Sequence, residues 1–253
     1  MPETALVTGA SSGIGEQFAH ALARNGSDLV LVARRRERLE QLAARLPTQT
    51  HVITCDLASE AEGLAAQVKE LGVDVDLLVC NAGFGNYGPF LDQDPQSDAN
   101  LVRVNCEAVV TLAHTFLPAM VERNRGGLIV VASTAGMQPI PYESVYAASK
   151  AFALSFTEAL HTELRDTGVR VLAVNPGPVP TEWQAVAGHG EGEGGFPLGE
   201  IDAAQVVEES LAAYEDGRRS VIPGRMMRIV MRSTKLTPRG AQLRITERLY
   251  RPR

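Results

Sequence analysis

Apolar positions fall into two regimes along the chain. Short, nearly continuous apolar runs occur at Thr4 to Val7, Asp28 to Ala33, Thr50 to Thr54, Asp76 to Cys80, Leu128 to Ala132, Val169 to Val174 and Ser220 to Ile222. Runs of this length, rich in Val, Ile and Leu, read as strands buried on both faces. Between them lie segments with helical spacing. One passes through Phe18, Leu22 and Ala23, and one runs from Arg35 to Leu46. Another starts at Ser59-Glu60-Ala61-Glu62, which has capping-box spacing. Asp98 to Arg123 reads as one long helix, a further helix carries Tyr146 and Lys150, and another runs from about Asp202 to Asp216. The alternation predicts an α/β fold, a doubly wound parallel sheet of seven strands flanked by helices. No internal repeat or linker divides residues 1–223, which are expected to form one domain. Between Ala187 and Leu198 glycine takes five positions, so residues 181–200 are expected to form a mobile lid.

Composition adds limits. A hydrophobic share of 45% with 21% charged residues is ordinary for a globular chain. No apolar stretch approaches the roughly 18 residues of a membrane span, and Met1-Pro2-Glu3-Thr4 does not resemble a signal peptide. Cys55, Cys80 and Cys106 are odd in number and lack metal-ligand spacing, so they are expected to be buried reduced thiols in a cytoplasmic protein, with no metal. The net charge of −6 hides an asymmetry: Arg218 to Arg253 holds 11 Lys and Arg against Glu247, or +10, leaving −16 elsewhere.

The chemistry is concentrated where strands end. Thr8-Gly9-Ala10-Ser11-Ser12-Gly13-Ile14-Gly15 joins the first strand to the first helix, where a glycine turn and a helix N-terminus make a phosphate cradle. The second strand ends in Ala33 with Arg34-Arg35-Arg36 behind it. An acid at that point would bond the ribose hydroxyls of NAD; guanidinium groups instead suit a 2′-phosphate, so NADP(H) is expected. Some of the three arginines, Arg36 at least, should be the solvated start of the next helix. Tyr146 and Lys150 stand four apart on one helix face. An ammonium near a phenol favours the phenolate and would fit Tyr146 for proton transfer. Taken alone, the spacing equally describes one buried tyrosine and one solvated lysine.

The motifs in order resemble the short-chain dehydrogenase/reductase family: TGxxxGIG at Thr8 to Gly15, Asp56-Leu57, Asn81-Ala82-Gly83, Asn105, Ser133, Tyr146-Ala147-Ala148-Ser149-Lys150, and Pro176-Gly177 with Thr181. The resemblance covers Thr4 to about Pro223 and implies a Rossmann-like fold with an NADP(H)-dependent oxidoreductase activity. It implies that Tyr146 is the general acid or base, that Lys150 bonds the nicotinamide ribose and lowers the tyrosine pKa, and that Ser133 holds the substrate oxygen. Asn105 would interrupt its helix and hold a relay water. Gly9, Ser11, Ser12, Gly13, Ile14 and Gly15 would line the pyrophosphate and adenosine, and Asp56 and Leu57 the adenine. Asn81, Ala82 and Gly83 would support the ribose and central strands, while Pro176, Gly177, Val179 and Thr181 would close over the nicotinamide. NADP-using members often carry a basic residue where Arg34 stands, with Arg35 beside it here; a second basic anchor sits in some members where this chain has Ser12.

Phe84, Tyr87, Met137, Gln138, Pro139, Tyr142 and Trp183 offer a largely apolar substrate surface, which suggests a medium-sized ketone, aldehyde or alcohol. The basic tail from Gly224 alternates Met226, Met227, Ile229, Val230 and Met231 with Arg225, Arg228 and Arg232, and continues past Pro238 as a second helical run with Leu243, Ile245 and Leu249. Such helices dock on the acidic body of the chain or on a neighbouring subunit, or make weak contact with an anionic membrane. Nucleic acid is not expected. Members of the resembled family are usually dimers or tetramers, so a homo-oligomer is expected. Two other readings stay open: a nucleotide sensor or scaffold without turnover, and a lipid-modifying reductase held to membrane by its tail.

Overall fold

The computed structural model describes residues 2–182, 187, 200–234 and 236–252. Seven parallel strands form one sheet: β1 Thr4–Thr8, β2 Asp28–Ala33, β3 Thr50–Thr54, β4 Leu77–Cys80, β5 Gly126–Val131, β6 Val169–Val174 and β7 Ser220–Val221. Their order is β3-β2-β1-β4-β5-β6-β7. The direction of winding reverses between β1 and β4, and the crevice beyond the carboxyl ends of strands at such a switch point is where ligands bind. The Gly9 to Gly15 turn and Asn81-Ala82-Gly83 both open there.

Alternate residues of each strand feed different faces. Val7, Leu29, Leu31, Val79, Ile129 and Leu172 join Phe18, Leu22, Leu39 and Val207 on one side, from α1 (Gly13–Arg24), α2 (Arg36–Ala43) and α7 (Ala203–Glu215). Leu6, Val30, Leu78, Leu128 and Val171 join Val68, Leu112 and Ala153 on the other, from α3 (Leu64–Glu70), α5 (Ala108–Glu122) and α6 (Ser144–Glu163). This two-sided burial is why the strands read as unbroken apolar runs.

Three local expectations change. Ser59 does not cap the third helix; Glu60 reaches back to the Asp56 amide at 2.7 Å, and a short 3-10 turn, Ala61–Gly63, precedes α3. The long helix begins earlier, as α4 (Pro95–Val102), because Asp94 accepts from the amides of Gln96 and Ser97 and Pro95 stands in its first turn. The continuous run Pro95–Glu122 is long and apolar enough, by length and composition, to cross a membrane. Here its Leu101, Ala108, Val109, Leu112 and Met120 are buried in the protein.

The basic tail forms α8 (Arg225–Thr234) and α9 (Arg239–Tyr250), which dock on the body of the same chain. Glu209 of α7 accepts from the Gly224 amide and from Arg228, each at 3.2 Å. Thr246 donates to the Pro139 carbonyl at 3.1 Å. Met227 and Met231 turn inward, while Met226 and Ile229 stay exposed.

Candidate active site

One cavity of about 420 Å³ runs along the carboxyl ends of the central strands. At one end lies the glycine turn. Gly9 holds φ at +65°, and a Cβ there would stand 2.9 Å from the Ala82 Cα; a Cβ on Gly15 would stand 2.3 Å from the Gly9 carbonyl oxygen. Only glycine permits this backbone at these two places. Asn81 ties the turn to β4, its amide donating to the Thr8 and Gly9 carbonyls at 3.0 and 3.3 Å. Ser12 precedes α1 without capping it. Glycines that leave room for a ligand and a helix start not capped by its own side chain fit a pyrophosphate.

Beside the turn, Arg35 donates to the hydroxyls of Ser11 and Ser12 at 3.0 and 2.8 Å. Its other nitrogen meets Glu182 at 2.7 Å, and Arg38 meets the second oxygen of Glu182 at 2.6 Å. The two guanidiniums hold the Glu182 carboxyl below its ordinary range. Arg34 also lines the cavity, whereas Arg36 pairs with Glu40 on the helix surface, as its place at the start of α2 suggested.

At the other end, Ser133 follows β5 and Tyr146 and Lys150 come from the first turns of α6. Ser133 and Tyr146 line this end of the cavity together, and the Ser133 hydroxyl is close enough to act on the Tyr146 phenol. Lys150 is buried, donates to the Val131 carbonyl at 2.8 Å, and lies 5.9 Å from the centre of the Tyr146 ring. The solvated lysine that the spacing also allowed is not what forms. The pKa directions depart from expectation. Burial pushes the Tyr146 phenol up; the Ser133 hydrogen bond works against the rise and Glu143 adds to it. Burial also lowers Lys150 to about 8, with Cys106 acting the other way. Desolvation is the largest cause of both shifts.

Asn105 lies in a π-helical turn, Arg103–Glu107, between α4 and α5. Its amide donates to the Phe84 carbonyl and the Ser149 hydroxyl, both at 2.9 Å, and its oxygen accepts from the Phe84 amide at 3.2 Å. A Cβ on Gly83 would meet Asn105 Oδ1 at 2.9 Å and Lys150 Nζ at 3.1 Å, so the helix interruption faces the lysine end of the cavity.

A sequence model described as short chain dehydrogenase matches residues 3–192. The chain belongs to the short-chain dehydrogenase family. Its members are oxidoreductases that bind nicotinamide cofactors. The chain is 34% identical over 188 residues to a cattle (Bos taurus) protein named very-long-chain 3-oxoacyl-CoA reductase, covering 71% of this chain and 60% of that one. A short-chain dehydrogenase from Sphingobium yanoikuyae, solved in complex with NADPH, superposes with a TM-score of 0.83 at 30% identity over 94% of both chains. A structure of a 7beta-hydroxysteroid dehydrogenase gives a TM-score of 0.85 at 25% identity over 96% of both. The chain therefore spans about 60% of the cattle reductase and nearly all of the two solved structures.

Of the residues expected from sequence, Gly9, Ser11, Ser12, Gly13, Ile14, Arg34, Arg35, Asp56, Leu57, Asn81, Ala82, Gly83, Phe84, Ser133, Gln138, Tyr146, Lys150, Pro176, Gly177, Val179 and Thr181 all line this cavity. Gly15 lies beneath the turn. Met137 is not among the residues that line this cavity; it lines a separate one with Leu154 and Arg219. Tyr142 is not among the lining residues either; it packs against the cluster that holds Ile140, Tyr146 and Tyr250. Trp183 and most of the expected lid lie outside the described residues. Sequence reasoning missed Ile140, Glu143, Met227, Met231 and Tyr250, which do line the cavity. The four-residue spacing of Met227 and Met231 was the one available signal for a buried tail face.

Proposed function

We propose that the protein is an NADP(H)-dependent oxidoreductase acting on a carbonyl or secondary alcohol of a medium-sized, mostly apolar small molecule. The observation that carries the reading is that Ser133, Tyr146 and Lys150 line one cavity with the glycine turn, Lys150 beside the Tyr146 ring. A nicotinamide held here would supply or accept the hydride. The turn from Gly9 to Gly15 and the start of α1 hold the pyrophosphate, and Lys150 holds the nicotinamide ribose.

When a carbonyl is reduced, negative charge grows on its oxygen. Ser133 and Tyr146 both donate toward that oxygen, and Tyr146 delivers the proton. Oxidation runs the same groups in reverse, with Tyr146 as base. A raised phenol suits the acid role. Asn105 shapes the π turn beside Lys150 and lets a water relay protons to it. Pro176, Gly177, Val179 and Thr181 cover the nicotinamide end.

NADP(H) over NAD(H) is supported by Arg34 and Arg35 at the cavity edge, with no carboxylate at Ala33. The S. yanoikuyae relative was solved with NADPH. An apolar substrate is supported by Phe84, Ile140, Met227 and Met231. A homo-oligomer in a reducing compartment completes the reading: Phe152, Ile229 and Ile245 are exposed, while Cys55 and Cys80 are buried free thiols. Oxidation of NADPH by the purified protein against a panel of ketones and aldehydes tests the proposal. Binding of NADPH with no turnover of any carbonyl would instead favour a sensor.

A further inference from the structure

A second cavity, of about 460 Å³, lies among α6, α8 and β7. Met231 lines both this cavity and the catalytic one, so a single side chain stands between them. Met137 and Leu154 add apolar wall. The charge comes from four arginines, Arg218, Arg219, Arg228 and Arg232, against one carboxylate, Glu158.

Such a cluster is unfavourable when left to itself. Arg228 and Arg232 stand one turn apart on α8, and like charges at that spacing destabilise a helix. Arg218 and Arg219 are chain neighbours that border the same space. Nearby acids answer only half of the charge. Glu158 accepts from Arg219 at 3.1 Å and from the Ser220 hydroxyl at 2.7 Å. Glu209 accepts from Arg228 at 3.2 Å. Among the described residues, no ion pair or hydrogen bond engages the guanidinium of Arg218 or of Arg232. The chain before Arg218 is acidic in balance, so the cluster is a local feature and not a general one. One unpaired arginine on a surface signifies nothing; two of them over an apolar wall, with two more beside them, make a place for an anion.

We infer that this cavity binds a phosphate monoester carrying a short apolar chain. Arg218 and Arg232 take the phosphate, and Met137, Leu154 and Met231 take the chain. A phosphate monoester carries nearly two negative charges at neutral pH and three acceptor oxygens. That matches two open guanidiniums, each able to bond two oxygens at once. A carboxylate would answer only one of them. The site is distinct from the proposed cofactor site, because Arg34 and Arg35 line the catalytic cavity and not this one. It holds whether or not hydride transfer takes place.

The test is calorimetric titration of the full chain with hexyl phosphate, inorganic phosphate and hexan-1-ol, with NADP⁺ in excess. Hexyl phosphate should bind at least about tenfold more tightly than inorganic phosphate, because only it brings methylenes to the apolar wall. Hexan-1-ol, which lacks the charge, should bind more weakly still. The double variant Arg218→Gln/Arg232→Gln should lose about tenfold or more for hexyl phosphate, while Arg35→Ala should leave that affinity unchanged. Both arginines of the double variant are exposed, and circular dichroism checks its fold. Equal binding by wild type and the double variant, loss on Arg35→Ala, displacement by NADP⁺, or equal affinity for inorganic phosphate would each overturn the site. Sedimentation with phosphatidate vesicles separates the two sources of such a group. A soluble ester predicts no capture; capture that the double variant abolishes would assign the same arginines to a lipid headgroup.

Discussion

The ammonium of Lys150 lies 5.9 Å from the centre of the Tyr146 ring and is anchored to the Val131 carbonyl, so the lysine is fixed inside the protein before any cofactor arrives. That arrangement is unfavourable for folding. Lys150 falls from an ordinary 10.5 to about 8 in the folded protein, equivalent to about 3 kcal/mol for keeping it charged at neutral pH. Replacing it with methionine removes this penalty but leaves the Val131 carbonyl unpaired, which offsets about 2 kcal/mol. Lys150→Met should therefore be about 1 kcal/mol more stable than wild type at pH 7 while losing activity. The sign with pH follows from the depressed value. The unfolded chain holds this proton more tightly, so wild-type stability rises from about pH 8 toward 10.5 and the advantage of the variant closes over that window. Urea unfolding at several pH values measures it; a variant less stable at neutral pH would contradict the desolvation argument.

Asn105 satisfies both backbone groups of Phe84 and the Ser149 hydroxyl from inside the π turn. Asn105→Ala leaves several buried polar groups without partners and should lower stability by about 3 kcal/mol, seen as a lower denaturant midpoint. Activity should fall further than stability explains, because the turn supports the Lys150 end of the cavity. An unchanged midpoint would show that the π turn does not depend on these bonds.

The proposed preference for NADP(H) rests on Arg35. Arg35→Ala should weaken NADPH binding by about tenfold or more and leave NADH binding nearly unchanged, since only the former offers a 2′-phosphate to a guanidinium. Glu182 makes the opposite prediction. Its carboxylate engages Arg35 and Arg38. Glu182→Gln should strengthen NADPH binding by a few-fold at most, as exposed ion pairs contribute little. Fluorescence titration with both nucleotides reads both effects, and equal losses for NADPH and NADH on Arg35→Ala would remove the 2′-phosphate argument.

The sheet and its ligand-binding edge were legible because each strand is buried on both faces and therefore carries an unbroken apolar run. The glycine turn was legible because its backbone demands glycine, whereas Asn81-Ala82-Gly83 and Ser133 were singled out beside Tyr146 and Lys150 through the family resemblance; all of them line one cavity. The direction of the Tyr146 and Lys150 shifts was not, since a four-residue spacing reports proximity and says nothing of desolvation. Glu143 was passed over because an acid before a helix ordinarily reads as a cap. Met227, Met231 and Tyr250 reach the cavity only through tertiary docking of a tail more than seventy residues beyond Tyr146 in the chain. Met137 and Tyr142 do not line this cavity, and a loop's sequence does not say which of its side chains turn inward.

The most direct measurement is single-turnover oxidation of NADPH by Tyr146→Phe beside wild type, on a carbonyl that wild type reduces. The variant should bind NADPH as wild type does and lose at least about a hundredfold in the rate of the chemical step, because the ring and its packing remain and only the transferable proton is gone. Oxidation at the wild-type rate would mean that the proton comes from elsewhere and that the phenol merely fills the cavity wall.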